Sequence, residues 1–98
     1  MARYSLSREA EADLDDIFRY SIETFGLTRA ERYYLALEEC LQRVAETPAL
    51  GRAVAGRSRT FFQYNCMRHA IFYAIADEGV FVVRVLHLAM DLKRHLPD

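Results

Sequence analysis

The residues of this sequence that could act on a partner or substrate are mostly basic, and they lie in its second half. Four arginines and no acidic residue occur between positions 52 and 68. Arginine binds anionic groups such as phosphate and carboxylate, and histidine exchanges protons near neutral pH. The pattern predicts a surface for an anionic partner, either nucleic acid or an acidic peptide, with a solvated sheet face as the alternative reading. The candidate residues are Arg52, Arg57, Arg59, Arg68, Arg84 and His87.

His87 is the residue best suited to acid–base chemistry, because it follows an apolar run and would stand at the end of a strand. It could serve as a general acid or base. It could equally hold the C-terminal segment by hydrogen bonds, and we favour that structural role. We expect His69 to be a structural residue with satisfied hydrogen bonds, and His95 to be solvated.

Arg84 lies inside the same apolar run, where a buried guanidinium is costly unless it is paired. It either faces a partner or pairs with a carboxylate, for which Asp91 and the acidic start of the first helix are candidates. The acids of that helix, Asp13 among them, are expected to complement the helix dipole and face solvent. We expect no metal site and no cofactor, because zinc-ligand spacing and a glycine-rich phosphate loop are both missing from the sequence.

Composition predicts one globular domain over residues 1–98, with 52% hydrophobic and 28% charged residues. The net charge of −1 combines an acidic first half with a basic second half, and it argues against strong nonspecific DNA binding. The longest apolar run, 70–76, is too short to cross a membrane. The N-terminus lacks the apolar stretch of a signal peptide, so a cytoplasmic location is expected. We therefore expect Cys40 and Cys66 to be reduced, buried thiols.

Apolar residues at three- and four-residue spacing predict two amphipathic helices. The first covers residues 8–24, with Ser7 as its N-cap and Gly26 as its stop. The second is predicted to begin at Thr28, with Glu31 completing a capping box, and to end before Pro48.

The remaining segments predict strands at 3–6, 60–64, 68–76 and 80–86, a loop at 50–58 and a short helix after His87. The fold class is therefore α+β, a two-layer β-α-α-β-β-β domain in which a helical hairpin packs on a small antiparallel sheet. Alternation sends the sheet's aromatic residues to both faces. One face lies under the helices, and the other must be covered by a partner or by the chain's own loops. These aromatic residues are Phe61, Phe62, Tyr64, Phe72, Tyr73 and Phe81.

Several phrases, in this order and spacing, resemble the RelE/ParE superfamily of bacterial type II toxins, and within it the ParE branch. They cover nearly the whole chain. The phrases are Leu6-Ser7-x-Glu9-Ala10-Glu11-x-Asp13-Leu14-x-Asp16-Ile17, Tyr20 to Gly26, Arg32-Tyr33, Ala45-Glu46-x-Pro48-x-Leu50-Gly51-Arg52, His69-x-Ile71-Phe72-Tyr73, Arg84-Val85-Leu86-His87 and Met90-Asp91.

The resemblance implies a toxin that traps DNA gyrase on cleaved DNA by binding rather than by catalysis. It also implies a ParD-type antitoxin that wraps its C-terminal segment over the toxin in a hetero-oligomer. DNA would be contacted only through gyrase or the antitoxin, with no membrane partner. The expected contact residues are Arg52, Arg57, Arg59, Arg68, His87, Met90, Leu92 and Leu96.

RelE-type relatives instead cut messenger RNA in the ribosome, which requires a base, an acid and cations around the scissile phosphate. A nuclease here would have to use His87, Arg59, Arg68 and Arg84, with Tyr64 and Tyr73 nearby. That set is thin for a ribonuclease, since Lys93 is the only lysine. A third alternative is an inactive member that binds an antitoxin and regulates its operon.

Overall fold

The computed structural model describes residues 3–56 and 58–96 and contains both predicted helices and one sheet. The helices are α1 (Arg8–Phe25), α2 (Leu27–Glu46) and a short α3 (Leu92–His95), with a single 3-10 turn at Pro48–Leu50 after α2. The strands are β1 (Arg3–Leu6), β2 (Arg52–Ala55), β3 (Thr60–Cys66), β4 (His69–Ala76) and β5 (Gly79–His87).

Within the described ranges the five strands form one sheet in the order β1-β5-β4-β3-β2. The α+β prediction is confirmed, but the predicted sheet is wrong in two details. β2 forms where a loop was expected, because Val54 and its neighbours pair with β3 although they lack a strand-like apolar alternation. β1 runs parallel to β5, whereas the other neighbours are antiparallel.

A single glycine joins the two helices. The N–H of Gly26 closes α1 on Ile22 at 2.9 Å, and its carbonyl accepts the N–H of Ala30 in the first turn of α2 at 3.1 Å. Its φ of 88° is open to glycine and strained for other residues. The capping box predicted at Thr28 and Glu31 is therefore wrong, because α2 already begins at Leu27 without a side-chain cap.

Ser7 is the N-cap of α1, as predicted, and it also ties the helix to the sheet. Its Oγ accepts the N–H of Ala10 at 3.0 Å and donates to the carbonyl of Val83 at 2.8 Å. The Ser7 backbone N–H donates to Val82 at 2.9 Å. One residue therefore ends β1, begins α1 and fixes both against β5.

Hydrophobic side chains fill both faces of the sheet. The helix-side cluster is the larger, and Leu37, Leu41 and Tyr73 lie at its centre. The opposite cluster is covered by Leu92 and Leu96 of the C-terminal segment. Its buried members are Phe61, Ala70, Phe72, Val83 and Leu86. The chain thus closes much of its own second face, although Phe81 keeps 38% of its surface exposed.

Cys40 and Cys66 form a disulfide between α2 and the end of β3, so the expectation of two reduced thiols is wrong in this structure. The reason is geometric, because α2 lies directly over β3 and brings the two Cα atoms to 6.4 Å. That separation is within the range that a disulfide bridges. An argument from compartment alone cannot detect this proximity.

Candidate functional site

A groove lies beside the half of β5 that β1 does not cover. β1 pairs with β5 only as far as Val82, so the stretch 83–87 is bordered by helices instead. The groove encloses about 690 Å³. It is bounded by α1, the start of α2, the β3–β4 turn and the C-terminal segment. Its lining residues are Asp13, Asp16, Ile17, Tyr20, Ser21, Phe25, Arg29, Tyr33, Arg68, His69, Arg84, Val85, Leu86, His87, Met90 and His95.

An ion pair lies among the residues that line this groove. Arg84 Nε lies 2.8 Å from Asp13 Oδ2, and Arg84 Nη2 lies 2.9 Å from Oδ1, a bidentate arrangement. The side chains retain only 21% and 13% exposure, respectively. Of the two alternatives for Arg84, pairing with the acidic start of α1 is therefore the one found. The hydrogen bonds to Asp13 raise the pKa of the Arg84 guanidinium above its usual value.

Asp13 also completes the uncovered edge of β5. Its Oδ2 accepts the backbone N–H of Val85 at 2.9 Å, in the position where a neighbouring strand would supply a carbonyl. Arg84 continues to the C-terminal segment, where Nη1 donates to the carbonyl of His95 at 3.0 Å. The expectation that Asp13 belongs to a solvated helix face is wrong, because this carboxylate links α1, β5 and, through Arg84, α3.

His69, which is buried, and Tyr33, which is half-buried, form a polar pair on the groove wall. The Tyr33 hydroxyl lies 2.6 Å from His69 Nδ1 and accepts the Arg68 backbone N–H at 3.3 Å. The direction of this bond depends on the tautomer of the ring: if the hydroxyl donates to Nδ1, the proton of the neutral ring lies on Nε2. Burial, with His87 nearby, lowers the pKa of His69 from 6.5 to about 4. The predicted structural role of His69 agrees with this arrangement.

His87 stands at the end of β5 and organises the C-terminal segment. Its Nδ1 accepts the N–H of Ala89 at 3.0 Å, and its carbonyl accepts the N–H of Met90 at 3.0 Å. Its ring meets that of His69 edge to face, with centroids 5.1 Å apart. These contacts attach the C-terminal segment to β5, and the choice of a structural over a catalytic role for His87 stays a prediction.

The groove combines exposed apolar surface with exposed cations. Tyr20, Phe25 and Met90 keep 64%, 49% and 40% of their surface in solvent. Arg29 and Arg68 line the same groove, and both are exposed. Such a surface suits an amphipathic segment that brings apolar side chains for the floor and carboxylates for the arginines.

Some of the contact and nuclease residues predicted from the sequence line the groove, and others lie elsewhere. Arg68, Arg84, His87 and Met90 all line the groove. Arg59 is outside this set, and its guanidinium carbon lies 6.0 Å from the Phe61 ring centroid. The four nuclease candidates are therefore not gathered at one place.

The other predicted contact residues have different surroundings. Arg52 is exposed on β2, where Nη2 donates to Gln63 Oε1 at 3.4 Å. Leu92 and Leu96 pack inside the chain on the second hydrophobic cluster. Arg57 falls outside the described residues. Of the aromatic residues considered for chemistry, Tyr73 is fully buried and Tyr64 packs against the helix-side cluster.

Sequence reasoning did not assign Tyr33 and Tyr20 to a site, and it placed Asp13 on a solvated face although the acidic start of α1 was a candidate partner for Arg84. Asp13 carried a readable signal, since it lies three residues after Ala10 and four before Ile17, on the side of α1 that faces the core. An acidic residue on such a stripe requires a partner. Tyr33 looked like an ordinary core residue, and its link to His69 spans 36 residues.

Among residues 3–56 and 58–96, no three His, Cys, Asp or Glu side chains come together as metal ligands. In the same residue ranges, no helix is both long enough and apolar enough to span a membrane.

The chain belongs to the ParE family of type II toxin–antitoxin toxins. Residues 4–92 match the family described as ParE toxin of type II toxin-antitoxin system, parDE. Toxin ParE1 of Mycobacterium tuberculosis is 35% identical over 96 residues, covering 97% of this chain and 98% of the relative. Toxin ParE1 of Caulobacter vibrioides is 34% identical, covering 98% and 99%. Toxin ParE of Escherichia coli is 33% identical, covering 100% and 96%.

Solved structures confirm the fold. The chain resembles one from the chromosomal ParDE TA system of P. aeruginosa with a TM-score of 0.74 at 15% identity, covering 89% of this chain and 96% of that one. It also resembles a chain of the toxin-antitoxin complex RelBE2 of Mycobacterium tuberculosis, with a TM-score of 0.62 at 20% identity and coverage of 88% and 96%. These two likenesses show the fold that the chain shares with both structures.

Proposed function

We propose that this ParE-family toxin inhibits DNA gyrase by binding, and that a ParD-type antitoxin neutralises it by docking in the groove beside β5. The groove is the observation that carries the proposal. It combines exposed apolar side chains with two exposed arginines, on a chain whose curated relatives over nearly its full length are ParE toxins. We place the complex in the cytoplasm, where gyrase and its DNA are found.

The state of the arginines supports binding over catalysis. Cleavage of RNA needs cations free to stabilise a phosphorane-like transition state. Arg84 instead holds Asp13 with two hydrogen bonds, and Arg59 lies away from the groove. His87 Nδ1 is engaged by the Ala89 N–H.

Two assays on the purified, antitoxin-free chain test the target. One follows supercoiling and DNA cleavage by gyrase, and the other follows messenger cleavage on programmed ribosomes. We expect gyrase-dependent DNA breaks to accumulate while messenger stays intact. Cut messenger with unaffected gyrase would overturn the proposal and favour the RelE-like alternative.

Variants separate binding from catalysis in the same assays. The double substitution Arg59→Ala and Arg68→Ala is expected to reduce gyrase inhibition, because it removes exposed cations from the basic half of the chain. His87→Ala that remains folded is expected to keep inhibition. Inhibition lost in His87→Ala but kept in the arginine pair would contradict a binding mechanism.

A matched pair of helix residues tests the docking site of the antitoxin. Tyr20 is 64% exposed on α1 inside the groove, and Leu35 is 59% exposed on α2 and does not line it. Tyr20→Asp should weaken binding of the operon's antitoxin by more than about tenfold, or 1.4 kcal/mol, since it puts a charge among apolar contacts. Leu35→Asp should leave the affinity unchanged in calorimetry. Equal effects of the two substitutions would place the antitoxin elsewhere.

A further inference from the structure

The disulfide ends next to the turn that forms one wall of the groove. It joins α2 to Cys66, the last residue of β3, across 26 residues of sequence. Met67 and Arg68 follow at once and form the β3–β4 turn, in which Met67 takes a left-handed φ of 55°. This turn carries Arg68 into the groove. The bond therefore determines how firmly the turn is held against α2.

We propose that Cys40 and Cys66 are a redox modification site, a reversible cross-link that fixes this wall of the groove when oxidised and loosens it when reduced. The inference rests on the proposed function, because it concerns the regulation of the same groove. In the oxidised chain the groove would be pre-organised for a docking segment. In the reduced chain the turn would become ordered only when the segment binds, and this ordering would cost part of the binding free energy.

A second, non-covalent anchor lets the fold survive reduction. Tyr33 lies seven residues before Cys40, and therefore on the same side of α2. Its hydroxyl holds the N–H of Arg68 and the ring of His69. Without the covalent link the reduced chain still has this anchor and its helix-side core, but the Tyr33–Arg68 bond opens more often. The expected change is local loosening of the turn, with the rest of the molecule intact.

The same turn is coupled to the C-terminal segment, which forms another part of the groove. The Leu88 N–H donates to the carbonyl of Arg68 at 2.9 Å, so the turn holds the start of the C-terminal segment. Met90, which lines the groove, follows two residues later. Loosening the turn therefore also loosens the segment that carries Met90. Faster hydrogen exchange at the Arg68 and Leu88 amides would report this change.

The bond is open to exchange from one side. Cys40 is half-buried, whereas Cys66 is 3% exposed. Oxidation begins when the Cys40 thiolate attacks a small disulfide such as oxidised glutathione and releases one thiol. The Cys66 thiolate then displaces the second thiol, so two protein thiols become one disulfide and the small disulfide becomes two thiols. A dithiol reductant reverses the reaction. Disulfides of reducing compartments are usually transient and redox-sensing, which suits a chain proposed to act on cytoplasmic gyrase.

Hydrogen exchange measured by NMR on the full chain, in oxidised and in reduced glutathione buffers, tests the proposal. Alkylation and mass spectrometry report the thiol state. We expect reversible conversion, with exchange at the Arg68 and Leu88 amides about fivefold or more faster in the reduced chain. The Ser7 amide, bonded to Val82 at the far end of the groove edge, should not change.

The double variant C40S/C66A serves as the control, and its exchange should be fast in both buffers. A bond that does not re-form in the folded chain would overturn the proposal. Equal exchange in the two states, or acceleration of the Ser7 amide to the same degree, would also overturn it. The experiment uses neither antitoxin nor gyrase, so its failure is distinct from failure of the proposed function.

Discussion

The carboxylate of Asp13 offers the sharpest test of how this groove is built. It accepts two hydrogen bonds from Arg84 and one from the backbone N–H of Val85, at 2.8 to 2.9 Å. Asp13→Ala removes all three acceptor contacts at once. It leaves a mostly buried guanidinium without its counter-charge and an N–H of the uncovered strand edge without its acceptor.

The expected loss of stability follows from these contacts. Breaking a buried ion pair by removing one partner costs about 3–5 kcal/mol. The Arg84 side chain retains 21% exposure, so water compensates in part, and we expect about 3 kcal/mol for Asp13→Ala. Asp13→Asn keeps one acceptor oxygen and should cost about 2 kcal/mol. Arg84→Met should cost less, about 1–2 kcal/mol, because Asp13 keeps the Val85 N–H and some contact with water.

Urea unfolding followed by circular dichroism measures these free energies. A double-mutant cycle of Asp13→Ala with Arg84→Met should give a coupling energy of about 2 kcal/mol. Asp16→Ala is the control, because Asp16 is 78% exposed and meets Arg19 only at 4.0 Å. It should cost less than about 0.5 kcal/mol. A loss below about 1 kcal/mol for Asp13→Ala, or equal to that of the control, would refute the reasoning.

Three further predictions concern the buried histidine His69, the β5 residues Val83 and Phe81, and the glycines Gly79 and Gly26. His69 has a folded pKa of about 4 against 6.5 when unfolded, so its contribution to stability is complete above pH 6.5 and is lost as the pH falls toward 4. Wild type should lose about 2 kcal/mol more than His69→Gln between pH 7 and pH 4 in urea titrations, and equal losses would contradict the assignment. Val83→Asp should abolish cooperative unfolding, because it buries an unpaired charge at a site 5% exposed, while Phe81→Asp, at 38% exposure, should cost about 2–3 kcal/mol of lost burial and keep a cooperative transition. Gly79→Ala should cost about 2–4 kcal/mol, since a Cβ there meets the backbone of β1 at φ +149°, whereas Gly26→Ala, at φ +88° in open space, should cost about 1 kcal/mol in thermal denaturation.

Local periodicity was enough to predict the two long helices and most of the sheet. α1 was placed correctly because Ser7 and Gly26 mark its ends and an apolar stripe lies between them. β4 and β5 are rich in β-branched and aromatic residues, so they read as strands without any knowledge of their neighbours. These features depend on residues close together in the sequence, which a single sequence displays.

The features that the sequence did not reveal depend on long-range contacts. β2 exists through its pairing with β3, and β1 is parallel because the chain returns to it only with β5. The disulfide arises where α2 crosses β3. For Arg84, the sequence left Asp91 and the acidic start of α1 as candidate partners, and the structure selects Asp13, 71 residues away. β2, the parallel β1 and the disulfide have no local pattern.

The groove itself follows from the short first strand. β1 covers β5 only to Val82, and Ser7 then turns the chain into α1. A longer β1 would pair with the rest of β5 and close the groove. In its place Asp13 supplies the acceptor for Val85, and Arg84 extends the contact to the C-terminal segment. The early end of β1 thus leaves a sheet edge that side chains complete only in part. The remaining surface is an apolar groove bordered by cations, available to a second chain.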